Sequence, residues 1–217
     1  MTSTQVIIAD DHPLFRSALK QAVQAVLPDA ELVEAESMAS LEKSATDNPD
    51  ADLVLLDLRM PGARGFSSLI WLRQQHPAIP VIVISAADDG SVIRRAADFG
   101  ASGFIPKSTS ISEIGNAVTA VINGELSFPD SEVYDSSSIE LAERLSSLTP
   151  QQLRVLMLLP DGLLNKQIAY ELGISEATVK AHMTSIMRKL GLTSRTQAAL
   201  IAQQLDIGDG PVDSSGI

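Results

Sequence analysis

Five short apolar runs alternate with helical patterns through the first half of this chain, and four of them stop on a polar residue. Val6-Ile7-Ile8-Ala9 stops on Asp10-Asp11, Leu53-Val54-Leu55-Leu56 on Asp57, Val81-Ile82-Val83-Ile84 on Ser85, and Gly103-Phe104-Ile105-Pro106 on Lys107; Leu32-Val33 is the shortest run. Uncharged runs of this length read as strands buried on both faces. Between them, apolar residues return at helical spacing. Pro13 opens a pattern through Leu14, Ala18, Leu19, Ala22, Val23, Val26 and Leu27. Further helices are predicted over Met38 to Ala45, over about Phe66 to Gln75, around Val92, Ile93, Ala96, Ala97 and Phe99, and from Ser110 to about Asn123. Ser110 with Glu113 three residues on is a capping-box pattern. The alternation predicts an α/β fold: a doubly wound, five-stranded parallel sheet covered on both faces.

In such sheets the site lies outside the carboxyl ends of the strands. Asp10, Asp11, Asp57, Ser85 and Lys107 stand there because that is where the apolar runs end. Three carboxylates at close range repel one another, so one takes a proton or a cation settles among them. An all-oxygen site suits Mg²⁺, which would bring a phosphoryl donor to Asp57 while screening its charge. A carboxylate attacking phosphorus gives an aspartyl-phosphate. Lys107 would pair with the new oxygens as a point charge, and the Ser85 hydroxyl would donate a hydrogen bond. Phe104 packs by default as an aromatic in a short strand, and His12 reads as a packing residue.

Composition bounds the remaining classes. There is no cysteine, which excludes disulfides and thiol chemistry. The opening MTST is polar and no apolar run reaches about 18 residues, which argues against a signal peptide or membrane span; the expectation is a cytoplasmic protein. The net charge is −11, but unevenly spread. From Leu148 to Leu205 six basic residues face three acids, leaving that segment +3 and the rest −14. An acidic half and a mildly basic half suggest two domains with different partners.

The seam is FPDSEVYDSSSIELAERLSS, acidic and serine-rich, read as a linker over 128–146 with a short helix from Ile139 to Leu148. Thr149-Pro150-Gln151-Gln152 then starts a helix, with Thr149 as cap and Gln152 at the reciprocal position. Asn165 begins a second helix that Gly173 ends. Ser175 caps a third, from Glu176 to Leu190, ended by Gly191, and Ser194 with Gln197 caps a fourth. Four short helices make a small all-α domain whose middle pair has the outline of a helix-turn-helix. At about 100° per residue, Val179, Met183, Ile186, Met187 and Leu190 share the core side. Ala177, Ala181, Thr184, Ser185 and Arg188 lie opposite, with Lys180 at one edge and Thr178, His182 and Lys189 at the other. A small, polar, basic face fits a DNA groove.

The ordered set DD at 10–11, DLRMPG at 57–62, Ser-Ala at 85–86 and Lys107 resembles the receiver domain of two-component response regulators, a flavodoxin-like fold. The resemblance implies Asp57 as phosphoacceptor; Asp11, Asp57 and the backbone carbonyl of Arg59 as Mg²⁺ ligands, with Asp10 acting through water; and Ser85, Phe104 and Lys107 as the switch. LTPQQLRVLMLLPDGLLNKQIAYELGISEATVKAHMTSIMRKLGLTSRTQAA resembles the LuxR-type helix-turn-helix. It implies base-edge contacts from Lys180, Ala181 and Thr184, and phosphate contacts from Lys166, Ser185, Arg188 and Lys189, with Thr178 beside them. Together the halves resemble the NarL/FixJ class. The expected organisation is a receiver over 1–127, the linker, a DNA-binding domain over 147–208 and a disordered tail over 209–217. The expected partners are a sensor histidine kinase, a duplex operator and a second copy of the chain. Two rivals stay open. One is an aspartyl-phosphate enzyme, although Arg59 stands where a second acid would be expected two residues after Asp57. The other is a DNA-binding protein whose receiver works without phosphorylation.

Overall fold

A computed structural model describes residues 4–129 and 137–206, which fall into two compact units. The expected tail over 209–217 and residues 130–136 of the expected linker lie outside the described residues.

In the first unit the elements are β1 (Gln5–Ala9), α1 (Pro13–Val26), β2 (Glu31–Ala35), α2 (Met38–Asp47), β3 (Leu53–Asp57), α3 (Ser67–Gln75), β4 (Val81–Ser85), α4 (Gly90–Asp98), β5 (Gly103–Pro106) and α5 (Ile111–Ile122). All neighbouring strands are parallel, in the order β2-β1-β3-β4-β5. The chain steps outward from β1 to β2 and then returns to lay β3 on the other side of β1. The switch point, where such sheets form their crevice, therefore falls between the ends of β1 and β3, at Asp10 and Asp57.

Strand periodicity decides which side chains meet there. Val6, Ile8, Leu53, Leu55, Ile82, Ile84 and Ile105 form one core with Leu19, Ala22 and Val23 of α1 and Ile114, Ala117, Val118 and Val121 of α5. With a period of two, Asp10, Asp57 and Lys107 continue the face of Ile8, Leu55 and Ile105. Ser85 and Phe104 belong to the opposite face.

Helix starts follow their caps. The Ser110–Glu113 box closes, with Glu113 N–H donating to Ser110 Oγ at 3.3 Å and Ser110 N–H donating to Glu113 Oε2 at 3.1 Å. Asp89 caps α4 by accepting from the Ser91 and Val92 N–H groups, so α4 begins before the apolar pattern does. After α5 the chain returns along β5, where Phe104 N–H donates to the Ser127 carbonyl at 2.8 Å. A Cβ on residue 103 would lie 2.7 Å from that carbonyl oxygen, which is why glycine opens β5.

The second unit holds α6 (Ser137–Ser146), α7 (Pro150–Met157), α8 (Asn165–Glu171), α9 (Glu176–Leu190) and α10 (Arg195–Leu205). The Thr149–Gln152 and Ser194–Gln197 boxes both form, and Gly191 ends α9 at a φ of 67°. Val179, Met183, Ile186 and Leu190 are buried as the helical spacing predicts; Met187 is only half-buried. The short helix expected from Ile139 to Leu148 forms as α6. Within 128–146, α6 is more than a passage between domains. Leu145 is fully buried and Arg144 Nη1 donates to the Leu190 carbonyl at 3.0 Å, at the end of α9. The acidic, serine-rich flank hides an amphipathic turn that the second unit uses as a fifth helix.

Leu145→Ala is therefore expected to destabilise the second unit by about 2–5 kcal/mol. The measurement is amide hydrogen exchange of α9 in the full chain. Wild-type protection in the variant would return α6 to the status of linker.

Candidate functional site

Asp10 and Asp57 are almost wholly buried, yet both face the same cation. Lys107 Nζ donates to Asp10 Oδ2 at 2.8 Å and to Asp57 Oδ2 at 2.7 Å. Its ammonium also sits 4.9 Å from the centre of the Phe15 ring, within cation–π reach. The other carboxylate oxygens are held from the backbone. His12 N–H donates to Asp10 Oδ1 at 2.7 Å, and Arg59 N–H donates to Asp57 Oδ1 at 3.0 Å. These carboxylates therefore have fixed orientations before any ligand arrives. Asp57 and Lys107 open into a cleft of about 570 Å³ lined also by His12, Leu14, Phe15, Ala18, Arg59 and Ala86.

Burial and pairing oppose each other here. Desolvation lifts the Asp57 carboxyl above its ordinary 3.8, against the hydrogen bond and charge of Lys107 and the Arg59 N–H; the Asp10 charge adds to the rise. For Lys107, burial alone would lower the ammonium, but its bonds to Asp10 and Asp57 prevail and hold it above 10.5.

Asp11 supplies the third carboxylate. Its Oδ1 is buried without a hydrogen-bond partner, although His12 Nδ1 lies 2.8 Å away. Asp10, Asp11, His12 and Asp57 each offer one ligand atom, and these atoms lie within 4.8 Å of one another. An unpartnered buried oxygen beside two further carboxylates and one ammonium is chemically suited to a hard divalent cation.

The remaining expected residues are placed as follows. Ser85 is buried, and its Oγ accepts from the Ala87 N–H at 3.1 Å. Phe104 is buried in β5. On α9, Thr178, Lys180, Ala181, Thr184 and Arg188 are exposed, as is Lys166 on α8. Lys180 pairs with Glu176 one turn earlier at 3.0 Å. Ser185 and Lys189 are turned inward instead. Gln152, a buried residue of α7, donates from Nε2 to Ser185 Oγ at 3.0 Å; Lys189 Nζ donates to Gln152 Oε1 at 2.8 Å and to the Ser147 carbonyl at 2.6 Å. These two side chains tie α9 to α7 and do not join the outward face.

Three residues do more than their sequence context indicates. His12, expected to pack, is 66 % exposed and stands over the carboxylates. Arg16 donates from Nη1 to the Asp10 carbonyl at 2.7 Å. Arg195 ties the start of α10 to α8 through Asn165 Oδ1 at 2.7 Å and the Leu163 carbonyl at 2.6 Å. Only the proximity of His12 to Asp11 in the chain could have drawn attention to it.

Residues 6–119 match the response regulator receiver domain family, and residues 146–207 match the bacterial regulatory proteins of the luxR family. Among curated relatives, the glycerol metabolism activator of Pseudomonas putida is 40% identical over 212 residues, covering 93% of this chain and 96% of its own. The nitrate/nitrite response regulator protein NarP of Escherichia coli is 33% identical, covering 94% and 96%. Among solved structures, RcsB from Salmonella enterica serovar Typhimurium, bound to a promoter in the presence of the phosphomimetic BeF3⁻, shares the fold. The TM-score is 0.54 and the identity 24%, with 94% of this chain and 99% of that one covered.

The raised Asp57 carboxyl has a consequence for stability. An acid whose folded value exceeds its unfolded value contributes fully below the unfolded value and loses that contribution as pH rises through the folded one. Asn at this position carries no charge at any pH. The stability of Asp57→Asn relative to wild type is thus expected to increase as pH rises above the ordinary carboxyl value of 3.8, followed by thermal unfolding without divalent cation. A difference that stays flat or falls with pH would contradict the burial argument.

Proposed function

The chain belongs to the response regulators of the NarL/FixJ class, a receiver joined to a LuxR-type DNA-binding domain, and from that premise we propose how its own residues receive and read out a phosphoryl signal. A carboxylate oxygen of Asp57 attacks the phosphorus of a phosphohistidine on a sensor kinase. The P–N bond breaks and its electron pair leaves with the imidazole. Asp57 then carries the phosphoryl group as an acyl phosphate. Mg²⁺, held by Asp11, Asp57 and the Arg59 carbonyl with Asp10 acting through water, would neutralise charge on the transferring group. Lys107, already bonded to both acids, moves onto the new phosphoryl oxygens, and the Ser85 hydroxyl turns from its loop to donate to them.

The observation that carries this reading is the placement of Asp57. It is a buried carboxylate at the switch point, with its one ammonium shared with Asp10 and an unpartnered Asp11 oxygen beside it. Phosphorylation adds up to two negative charges there. Ser85 gains a charge-assisted hydrogen bond, worth about 1.5–3 kcal/mol, while Lys107 exchanges carboxylate partners for phosphoryl oxygens of higher charge. Reversing a 1:99 equilibrium takes about 5.5 kcal/mol, so the new Ser85 bond supplies part of what a switch needs and the exchange at Lys107 has to supply the rest. Phe104, on the face opposite Asp57 and next to Ile105, repacks as Lys107 moves. Dimerisation of the chain, or release of its second half, follows.

In the second half, α9 enters the major groove. Lys180, Ala181 and Thr184 face base edges; Lys166 and Arg188 meet phosphates, with Thr178 beside them. Ser185 and Lys189, first expected at phosphates, we assign to holding α9 through Gln152. Two copies would cover half-sites about one helical turn apart. In this reading the receiver spans residues 1–127 and the DNA-binding half starts ahead of 147, at α6. The chain turns over no substrate, and it acts in the cytoplasm; no described helix is long and apolar enough to cross a membrane.

Asp57→Asn is expected to abolish acid-labile phosphate incorporation from acetyl phosphate with Mg²⁺; undiminished labelling would reject the assignment. For the second half, duplexes are first selected from a random pool by the phosphorylated chain. Arg188→Ala is then expected to weaken binding to them and to reduce the salt slope by about 1. An unchanged slope would remove Arg188 from the contact surface.

A further inference from the structure

Arg16 reaches the acidic cluster through the backbone. Asp10 lies one residue beyond β1, where the β1–β2 register has ended at Ala9 and Ala35. Its N–H still donates to the Ala35 carbonyl at 3.0 Å, on the β2 side. Its carbonyl accepts from Arg16 Nη1 at 2.7 Å, so a guanidinium takes the place of the missing ladder partner. Both Asp10 carboxylate oxygens are bonded too, to His12 N–H and Lys107 Nζ. Every polar group of Asp10 is thereby bonded, and its carbonyl belongs to the peptide that leads into Asp11.

Arg16 is itself fixed. It is 15 % exposed, and its Nε donates to Glu34 Oε2 on β2 at 2.7 Å. The other Glu34 oxygen accepts from Lys20 Nζ at 2.5 Å, one turn along α1. Those two cations hold the Glu34 carboxyl below its usual range, Lys20 contributing most and Arg16 next. A planar fork can bond Glu34 through one edge and the Asp10 carbonyl through another. A lysine ammonium has no such fixed geometry.

We infer that Arg16, held by Glu34, is a positioning residue for the divalent-cation site: it sets the direction of the Asp10–Asp11 peptide and so the place of the unpartnered Asp11 oxygen. The inference rests on the phosphoacceptor reading above. Groups that orient metal ligands from behind commonly change affinity by about 10–100-fold when removed. The loss here belongs to cation affinity more than to the chemical step, because Arg16 touches neither Asp57 nor Lys107 in the described contacts.

The test is calorimetric titration of full-length, unphosphorylated protein with Mg²⁺, with acetyl phosphate labelling measured across Mg²⁺ concentrations. Arg16→Met is expected to weaken Mg²⁺ binding by about 10-fold. Its labelling should recover towards wild type as Mg²⁺ saturates. Lys20→Met removes the same charge one turn away and leaves the Arg16 contact in place; it is expected to shift affinity by less than about 2-fold. Should Arg16→Met fail to fold, Glu34→Gln and Arg16→Lys carry the test, each expected to weaken Mg²⁺ binding more than Lys20→Met does. Equal losses in the Arg16 and Lys20 variants would mean a general charge effect and overturn the inference, as would wild-type affinity in every folded Arg16 and Glu34 variant. Failure of the wild-type chain to bind Mg²⁺ or to be labelled would instead overturn the phosphoacceptor reading, and this inference with it.

Discussion

A single ammonium lets the carboxyl end of this sheet exist. Three carboxylates, Asp10, Asp11 and Asp57, converge where β1 and β3 finish, and the first and last of these are buried. Two anions so placed would repel strongly in a poorly solvated site. Lys107, brought in by the shortest strand of the sheet, bonds both. The arrangement is stable but not neutral, because one cation answers three anions. On the proposed reading, the same imbalance that suits the site to a divalent cation would make Lys107 the group most strongly contested when a phosphoryl group arrives on Asp57. Structural stability and signal reception therefore use one interaction.

The two halves divide the work by charge. The acidic half stores an anion behind a cation, and the mildly basic half presents a helix whose outward side is small and polar. Read-out depends on how firmly that helix is held. Gln152 caps α7 and at the same time bonds Ser185 and Lys189 of α9. Arg195 ties α10 to α8, and Arg144 reaches the end of α9. Each is a side chain bridging two elements of a unit too small for a large apolar core. The outward face of α9, proposed above to meet DNA, is thereby carried by a helix braced at several points.

The fold and half of the site were legible in the sequence because both are written in local pattern. Apolar runs ended where the strands end, so Asp10, Asp57 and Lys107 could be placed together before any coordinates were known. Their common face appears only with the observed strands, through a period of two. The caps at Ser110, Thr149, Ser175 and Ser194 were equally local. What remained hidden depends on direction and on partners far along the chain. His12 looked like a packing residue because an imidazole after two acids gives no sign of facing solvent. Ser185 and Lys189 sat on or beside the outward face of the helical wheel, and only Gln152, more than 30 residues away, turns them in. Arg16 lies on a helix among ordinary polar positions; its role appears once Glu34 of β2 is set opposite it. The helix α6 was legible from Ile139 onward, but its tie to the end of α9, Arg144 to the Leu190 carbonyl, was not.

Charge added at Asp57 is expected to change how the second half engages DNA. The direct measurement compares one preparation before and after phosphorylation, titrated against the same selected duplex at fixed salt. Coupling between two sites of this kind spans about 5–150-fold in affinity. The phosphorylated chain is expected to bind more tightly within that range. Identical isotherms, with the phosphoryl group confirmed on Asp57 by mass, would contradict it.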